Sequence, residues 1–268
     1  MKLDSGRADG VSLRRPATGI LPSTWEDHSV DAFEQVRLVL FDLDGTLVDH
    51  DGTAASAVEH WLVGEGWLEP GGAAASVALW DEVAERHYPA CQARETTFQG
   101  QRRRRLREFL PYVGIDPSDW SERRLDATFE GYLAAYEDAW RPYPDALACL
   151  LALGRRVRVA VLSNGDQAQQ EDKLRRTGLW DHVASVLTSD LLGVSKPDPA
   201  IFARACERLD VRPDGVVYVG DRLDLDARAA TAAGLHGIWL NRTGAQAADD
   251  VDTIVDLREL TGAISLAE

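Results

Sequence analysis

From Val36 onward the chain alternates short apolar runs with stretches of helical spacing. Val36-Arg-Leu-Val-Leu-Phe-Asp-Leu-Asp44 is rich in β-formers and ends in carboxylates, and similar runs recur at 156–163, 183–188, 215–220 and 236–240. Runs of this length and composition predict strands. Between the later ones Ile201, Ala205 and Leu209 fall four apart and Phe202 pairs with Cys206, which predicts a helix over 199–209. Asp198 and Pro199 supply its N-cap and first-turn proline. A second helix is expected over 224–233, closed by Gly234. Strands alternating with helices of this length predict an α/β fold, a doubly wound parallel sheet covered on both faces.

Residues 50–140 break the alternation. The interval is too long for one crossover and holds no convincing strand, while Leu125, Phe129, Leu133, Tyr136 and Trp140 follow a helical stripe, and Val58 with Leu62 suggests another. Twelve of the twenty aromatic residues fall here, enough for a small helical core. The expected organisation is an N-terminal extension over 1–35, a core over 36–49 and 141–268, and a helical insertion over 50–140. The extension mixes Gly, Pro, Ser and charges without either period, with Trp25 and Phe33 able to pack on the core. Arg14-Arg15 is not followed by the apolar stretch of an export signal, so a cytoplasmic location is expected.

Composition narrows the function. Lys and Arg total 29 against 44 Asp and Glu, a net charge of −15, which disfavours a nucleic-acid scaffold but permits a local cationic pocket for a small anion. No apolar run approaches the roughly 18–20 residues that span a bilayer. Cys91, Cys149 and Cys206 are scattered and odd in number, so they suggest neither a disulfide framework nor a zinc site.

Candidate chemistry gathers where ligands bind in such sheets, beyond the carboxyl ends of the strands. The first strand ends in Asp42-Leu-Asp44-Gly-Thr, the second in Ser163-Asn164-Gly165, and a later one in Gly220-Asp221 with Asp224 and Asp226 close behind. A loop adds Lys196-Pro-Asp-Pro. Carboxylate oxygens are hard ligands that suit Mg²⁺, the hydroxyl and turn amides at 163–165 form an anion cradle, and an aspartate can act as nucleophile.

These four motifs, in this order, resemble those of the haloacid dehalogenase-like (HAD) superfamily of hydrolases, and the resemblance covers about Val36 to Arg242. It implies a Rossmann-like core with a type-1 helical cap, and the stretch from Leu162 to Leu174 is most similar to the branch of nucleotidases and acylneuraminate-9-phosphatases. Asp42 is then the nucleophile and Asp44 the general acid/base. Ser163, Asn164, Gly165 and Lys196 bind the substrate phosphate. Asp42, the backbone carbonyl of Asp44 and Asp221 bind Mg²⁺. The motif spacing selects Asp226, rather than Asp224, as a supporting acid.

The implied activity is Mg²⁺-dependent hydrolysis of a small phosphomonoester through an aspartyl-phosphate, by a monomer or homodimer that needs neither nucleic acid nor membrane. The alternatives are a phosphosugar mutase, another HAD hydrolase such as a dehalogenase, or a catalytically silent binding protein. Dehalogenases generally lack the second acid, here Asp44. Tyr143-Pro144-Asp145 departs from the Pro-Gly common at the return from the cap. The run Arg102–Arg105 is expected to be mostly a solvated face, with at most one or two side chains turned to the cleft. His87, His182 and His236 are expected to be structural.

Overall fold

A computed structural model describes residues 35–69, 71–92, 95–246 and 248–265. The expected N-terminal extension, with Trp25 and Phe33, lies outside the described residues except for Gln35.

Six parallel strands form one sheet: β1 (Leu38–Phe41), β2 (Arg158–Ser163), β3 (Val186–Thr188), β4 (Val216–Gly220), β5 (His236–Leu240) and β6 (Asp252–Ile254), in the order β3-β2-β1-β4-β5-β6. Successive strand residues point to opposite faces, and β1 divides accordingly. Val39 and Phe41 join a core with Val159, Val161, Val217 and Val219, covered by α5 (Ala146–Leu153) and α10 (Leu257–Ser265). Leu38 and Leu40 face the other way, onto Ile201, Phe202, Ala205 and Cys206 of α8 (Pro199–Arg208). Each fully buried aliphatic or aromatic side chain of these layers contributes roughly 1.5–3 kcal/mol. Strand order reverses at β1, whose neighbours are β2 and β4, so the crevice outside β1 and β4 is where such a sheet takes its ligand.

Between β1 and α5 the chain inserts four further helices: α1 (His50–Gly64), α2 (Ala74–Gln92), α3 (Phe98–Phe109) and α4 (Glu122–Asp138). They share a separate core in which Trp80, fully buried, lies 4.7 Å from Tyr132 and 5.0 Å from Phe109, centroid to centroid. Trp61 is buried in the same cluster and Trp67 packs against it. The buried stripe of α4 is Leu125, Phe129, Tyr132, Ala135 and Tyr136; Leu133 is only partly buried. The two connections to the sheet are tied together: Asp49, the N-cap of α1, pairs with Arg141 at 2.8 Å, and its amide donates to the Arg141 carbonyl.

Two local departures from the expected elements have physical causes. β6 is a three-residue edge strand, too short to show a period. The expected helix over 224–233 is a π-helical turn over Leu223–Arg228 followed by α9 (Ala229–Ala232). Wide turns of this kind concentrate at functional sites, and this one turns Asp226 inward. The remaining helices are α6 (Gln167–Arg176) and α7 (Ser189–Leu192).

Asp145, the residue that replaces the common glycine, has a structural role. It is buried, accepts from Arg242 at both oxygens (3.0 Å each), and caps the amide of Leu257 at the start of α10. Arg242 also donates to the Thr46 carbonyl at 2.8 Å, which braces the loop after β1. Burial pushes the Asp145 pKa up, but the bonds from Arg242 and Leu257 outweigh it and hold the carboxyl below its usual value. The pair therefore stabilises the fold above the ordinary carboxylate range, and that contribution fades as the pH falls through the folded pKa. Arg242→Met should leave Asp145 buried without its counter-ion and cost about 3–5 kcal/mol, measured as a shift of the denaturant midpoint. A midpoint within experimental error of the native one would remove this role.

Candidate active site

The carboxyl edge of β1 and β4 brings three acids, Asp42, Asp221 and Asp226, together by two tight backbone approaches. After Phe41 the ladder continues through the Asp42 amide, which donates to the Val219 carbonyl at 2.9 Å. The chain then turns at Gly45, whose φ of +86° favours glycine; a Cβ there would also strike the Asp221 carboxylate. Thr46 Oγ1 donates to Asp221 Oδ1 at 3.2 Å, and Trp239 Nε1 donates to the Asp221 carbonyl at 2.9 Å. At the end of β4, Gly220 lets Asp226 lie directly against the backbone, where a Cβ would meet its carboxyl group. The Arg222 amide donates to Asp226 Oδ2 at 3.0 Å.

Lys196 is the hub of this edge. Its fully buried ammonium donates to Asp42 Oδ1 at 2.7 Å, Asp226 Oδ1 at 2.6 Å and the Tyr218 hydroxyl at 2.9 Å, which uses all three of its protons. Asn164 fixes the loop that carries it: the Lys196 amide donates to Asn164 Oδ1 at 2.8 Å, and Asn164 Nδ2 donates to the Lys196 carbonyl at 3.0 Å. Burial alone would lower the Lys196 pKa, yet Asp226 and Asp42 hold it well above its usual value. Asp42 is shifted up as well. Burial raises it strongly, Lys196 offsets part of that, and Asp226 and Asp221 raise it further. Burial, with the charge of Asp226, pushes Asp221 up to about 7. One oxygen from each of Asp42, Asp221 and Asp226 lies within 4.8 Å of the others, so three carboxylates face a single ammonium.

Asp44 sits in the opposite environment. Lys173 Nζ donates to its Oδ1 at 2.6 Å and Gln170 Nε2 to its Oδ2 at 3.0 Å. Burial raises its pKa, but Lys173, His50 and these hydrogen bonds overcome that and hold it at about 2. The Tyr136 hydroxyl of α4 accepts from Lys173 at 3.5 Å and shares a 2.8 Å hydrogen bond with His50 Nδ1, so the helical insertion reaches the second acid.

Of the remaining expected residues, Ser163 is buried beside Asp44 and accepts from Gln170 Nε2 at 3.1 Å. The Gly165 amide donates to Ser189 Oγ at 3.0 Å, and the Asn164 side chain holds the Lys196 loop, so both are engaged in shaping the cradle. Asp224 is turned away, in an exposed 2.7 Å pair with Arg228. His87 pairs with Glu108 at 2.6 Å and His236 with Asp252 at 2.8 Å, both away from the acids.

Lys173, Gln170, Tyr136, Tyr218 and His50 were not legible as site residues from the motifs. One signal was present: Gln170, Lys173 and Leu174 share a helix face, and Leu174 is fully buried. Two polar residues on the buried stripe of an amphipathic helix require partners, and here those partners are Asp44 and Ser163.

Comparison with known proteins agrees with this geometry. The haloacid dehalogenase-like hydrolase family matches residues 36–234, well over half of the chain. A glyceraldehyde 3-phosphate phosphatase of Methanopyrus kandleri is 31% identical over 77% of this chain and 84% of its own length. An N-acylneuraminate-9-phosphatase of Rattus norvegicus is 27% identical over 78% of this chain and 84% of its own. The HAD hydrolase YfnB of Bacillus subtilis, solved bound to magnesium, shares the fold with a TM-score of 0.72 at 20% identity, covering 85% of this chain and 98% of that one. The chain belongs to the haloacid dehalogenase-like hydrolases, and it is a hydrolase with their Rossmann-like α/β core.

Proposed function

We propose that this enzyme hydrolyses a small phosphomonoester, using Asp42 as nucleophile and Asp44 as general acid/base, with Mg²⁺ as cofactor and the helical insertion as a cap. The observation that carries the reading is the separation of two acids, two residues apart, into opposite environments. Asp42 Oδ1 is held by Lys196, while its Oδ2 has no hydrogen bond among the described residues and keeps a lone pair for attack. Both oxygens of Asp44 are gripped by Lys173 and Gln170. Pairs of carboxylates pushed apart in this way mark distinct chemical roles.

In the first half-reaction Asp42 Oδ2 attacks phosphorus, the bond to the leaving oxygen breaks, and that oxygen takes a proton from Asp44. Asp44 is ionised in the empty site, but a phosphoryl dianion beside it raises its affinity for a proton. In the second half-reaction water attacks the acyl-phosphate, Asp44 takes the water proton, and inorganic phosphate leaves with Asp42 regenerated. Ser163 and Lys196 flank the phosphoryl site, where a hydroxyl and an ammonium stabilise the developing charge. Asp226 holds Lys196, because its oxygens are taken by Lys196, Tyr218 and the Arg222 amide.

Three carboxylates against one ammonium leave negative charge in excess, and hard oxygen donors fit Mg²⁺. Asp42, the Asp44 backbone carbonyl and Asp221 would hold it. When bound, the ion supplies charge neutralisation for the phosphoryl group and its nucleophile.

A cytoplasmic place is supported by the free thiols of Cys91, Cys149 and Cys206; among the described residues no helix is long and apolar enough to cross a membrane. With p-nitrophenyl phosphate, EDTA should abolish hydrolysis and Mg²⁺ restore it, while Ca²⁺, with its looser and larger coordination, should restore it poorly. Undiminished turnover in excess EDTA would overturn the metal assignment, and no turnover with Mg²⁺ would overturn the phosphatase reading.

A further inference from the structure

No step of the proposed reaction uses the cationic run Arg102–Arg105, and the structure separates its four side chains. Arg103 closes on Asp126 and Glu122 at 2.6 Å. Arg104 is exposed. Arg102 lies 5.3 Å over the Phe129 ring and donates to Gln99 at 3.5 Å. Arg105 turns inward. Its guanidinium carbon stands 4.2 Å over the Trp80 ring and 5.9 Å from that of Tyr132. Its Nε is buried without a hydrogen-bond partner, and no carboxylate of the described residues forms an ion pair with it. Burial lowers its pKa, and the Tyr132 hydroxyl, which accepts a hydrogen bond from the guanidinium, and then Asp81 offset part of that. In a chain with net charge −15, a half-buried guanidinium that no carboxylate neutralises is a place that an anionic ligand would fit.

The surrounding helices show which way it faces. Tyr132 and Tyr136, one turn apart on α4, stack at 6.0 Å, and Tyr136 meets Lys173, which grips Asp44. Asp81, Glu85 and Tyr88 form one stripe on α2. Glu85 reaches Arg222, the residue after Asp221, at 3.4 Å. Arg105 therefore lies at the far end of the Tyr132–Tyr136 stack from Lys173 and Asp44, on the helical side of the acids, toward which the leaving group of a phosphomonoester would extend.

We propose that Arg105 binds a second anionic group, a carboxylate, on the leaving-group portion of the substrate. The inference rests on the phosphatase reading above and adds the substrate class to it. A planar guanidinium matches a carboxylate fork, and stacking on Trp80 fixes its plane. A single negative charge suits one guanidinium in a cleft that Asp81 already shares.

The test compares two phosphonates in Mg²⁺ buffer, 3-phosphonopropionate and propylphosphonate, which differ by a carboxylate in place of a methyl group. Calorimetry should show the carboxylated compound binding at least about tenfold more tightly to the native protein. Arg105→Met, which keeps the contact with Trp80, should reduce the preference to about twofold or less, Arg105→Lys should restore part of it, and Arg104→Met should retain the native ratio. Arg105→Gln replaces the Met variant if the latter melts early. In turnover, the ratio of kcat/KM for 3-phosphoglycerate to that for glycerol 3-phosphate should fall about tenfold in the Arg105 variants, chiefly through KM. A native protein without the preference, or an Arg105→Met protein that keeps it, overturns the inference. Failure to hydrolyse p-nitrophenyl phosphate would instead overturn the phosphatase reading, and the phosphonate ratio judges Arg105 independently of it.

Discussion

Asp42→Asn should fold like the native protein and hydrolyse phosphomonoesters at less than about one ten-thousandth of the native rate. The amide has the shape of the carboxylate but no nucleophilic oxygen. The change also removes one charge from three crowded acids while leaving Lys196 its contacts with Asp226 and Tyr218. Stability should therefore hold as activity disappears. Measurement of kcat beside a melting curve separates the two, and a variant that keeps more than about a tenth of native activity excludes Asp42 as nucleophile.

Lys196→Met should fail on both counts. Asp42 and Asp226 would lose a shared counter-ion in a site where all three side chains are buried, a change expected to cost about 3–5 kcal/mol. Activity should fall by on the order of a thousandfold, because the charge that steadies the nucleophile and the phosphoryl oxygens is gone. Asp224→Asn is the matched control: its exposed pair with Arg228 is worth little, and both stability and turnover should stay near native. Equal behaviour of the two variants would contradict the role of Lys196.

The parts of this site that were legible in the sequence are those fixed by strand ends. A continuous apolar run followed by Asp-x-Asp-Gly marks a buried strand that delivers both acids to its carboxyl edge, and the turn after Phe41 then sends them into different surroundings. Spacing within a motif selects Asp226 over Asp224 as the supporting acid, and the structure buries the first beside Lys196 and exposes the second. What could not be read depends on where helices dock. Lys173 and Gln170 find their partners only when α6 is laid against β3, beside the loop that follows β1, and Tyr218 looks like a core aromatic until its hydroxyl meets Lys196. The π-helical turn at Leu223–Arg228 has no periodic signature at all; tertiary contacts at Asp226 impose it. Arg105 could not be told from Arg103 or Arg104 because a run of four wraps the helix, and only the positions of Trp80 and Asp126 sort them.

The central claim is that phosphate passes through Asp42 with Asp44 moving the protons. Asp44→Asn keeps the nucleophile and should slow hydrolysis of the acyl-phosphate, while a substrate with a good leaving group needs little protonation to form it. Mass spectrometry of Asp44→Asn mixed with acetyl phosphate and Mg²⁺ should show one added phosphoryl group, mapped to Asp42. The same mass mapped to another residue, or appearing equally in Asp42→Asn, would contradict the account.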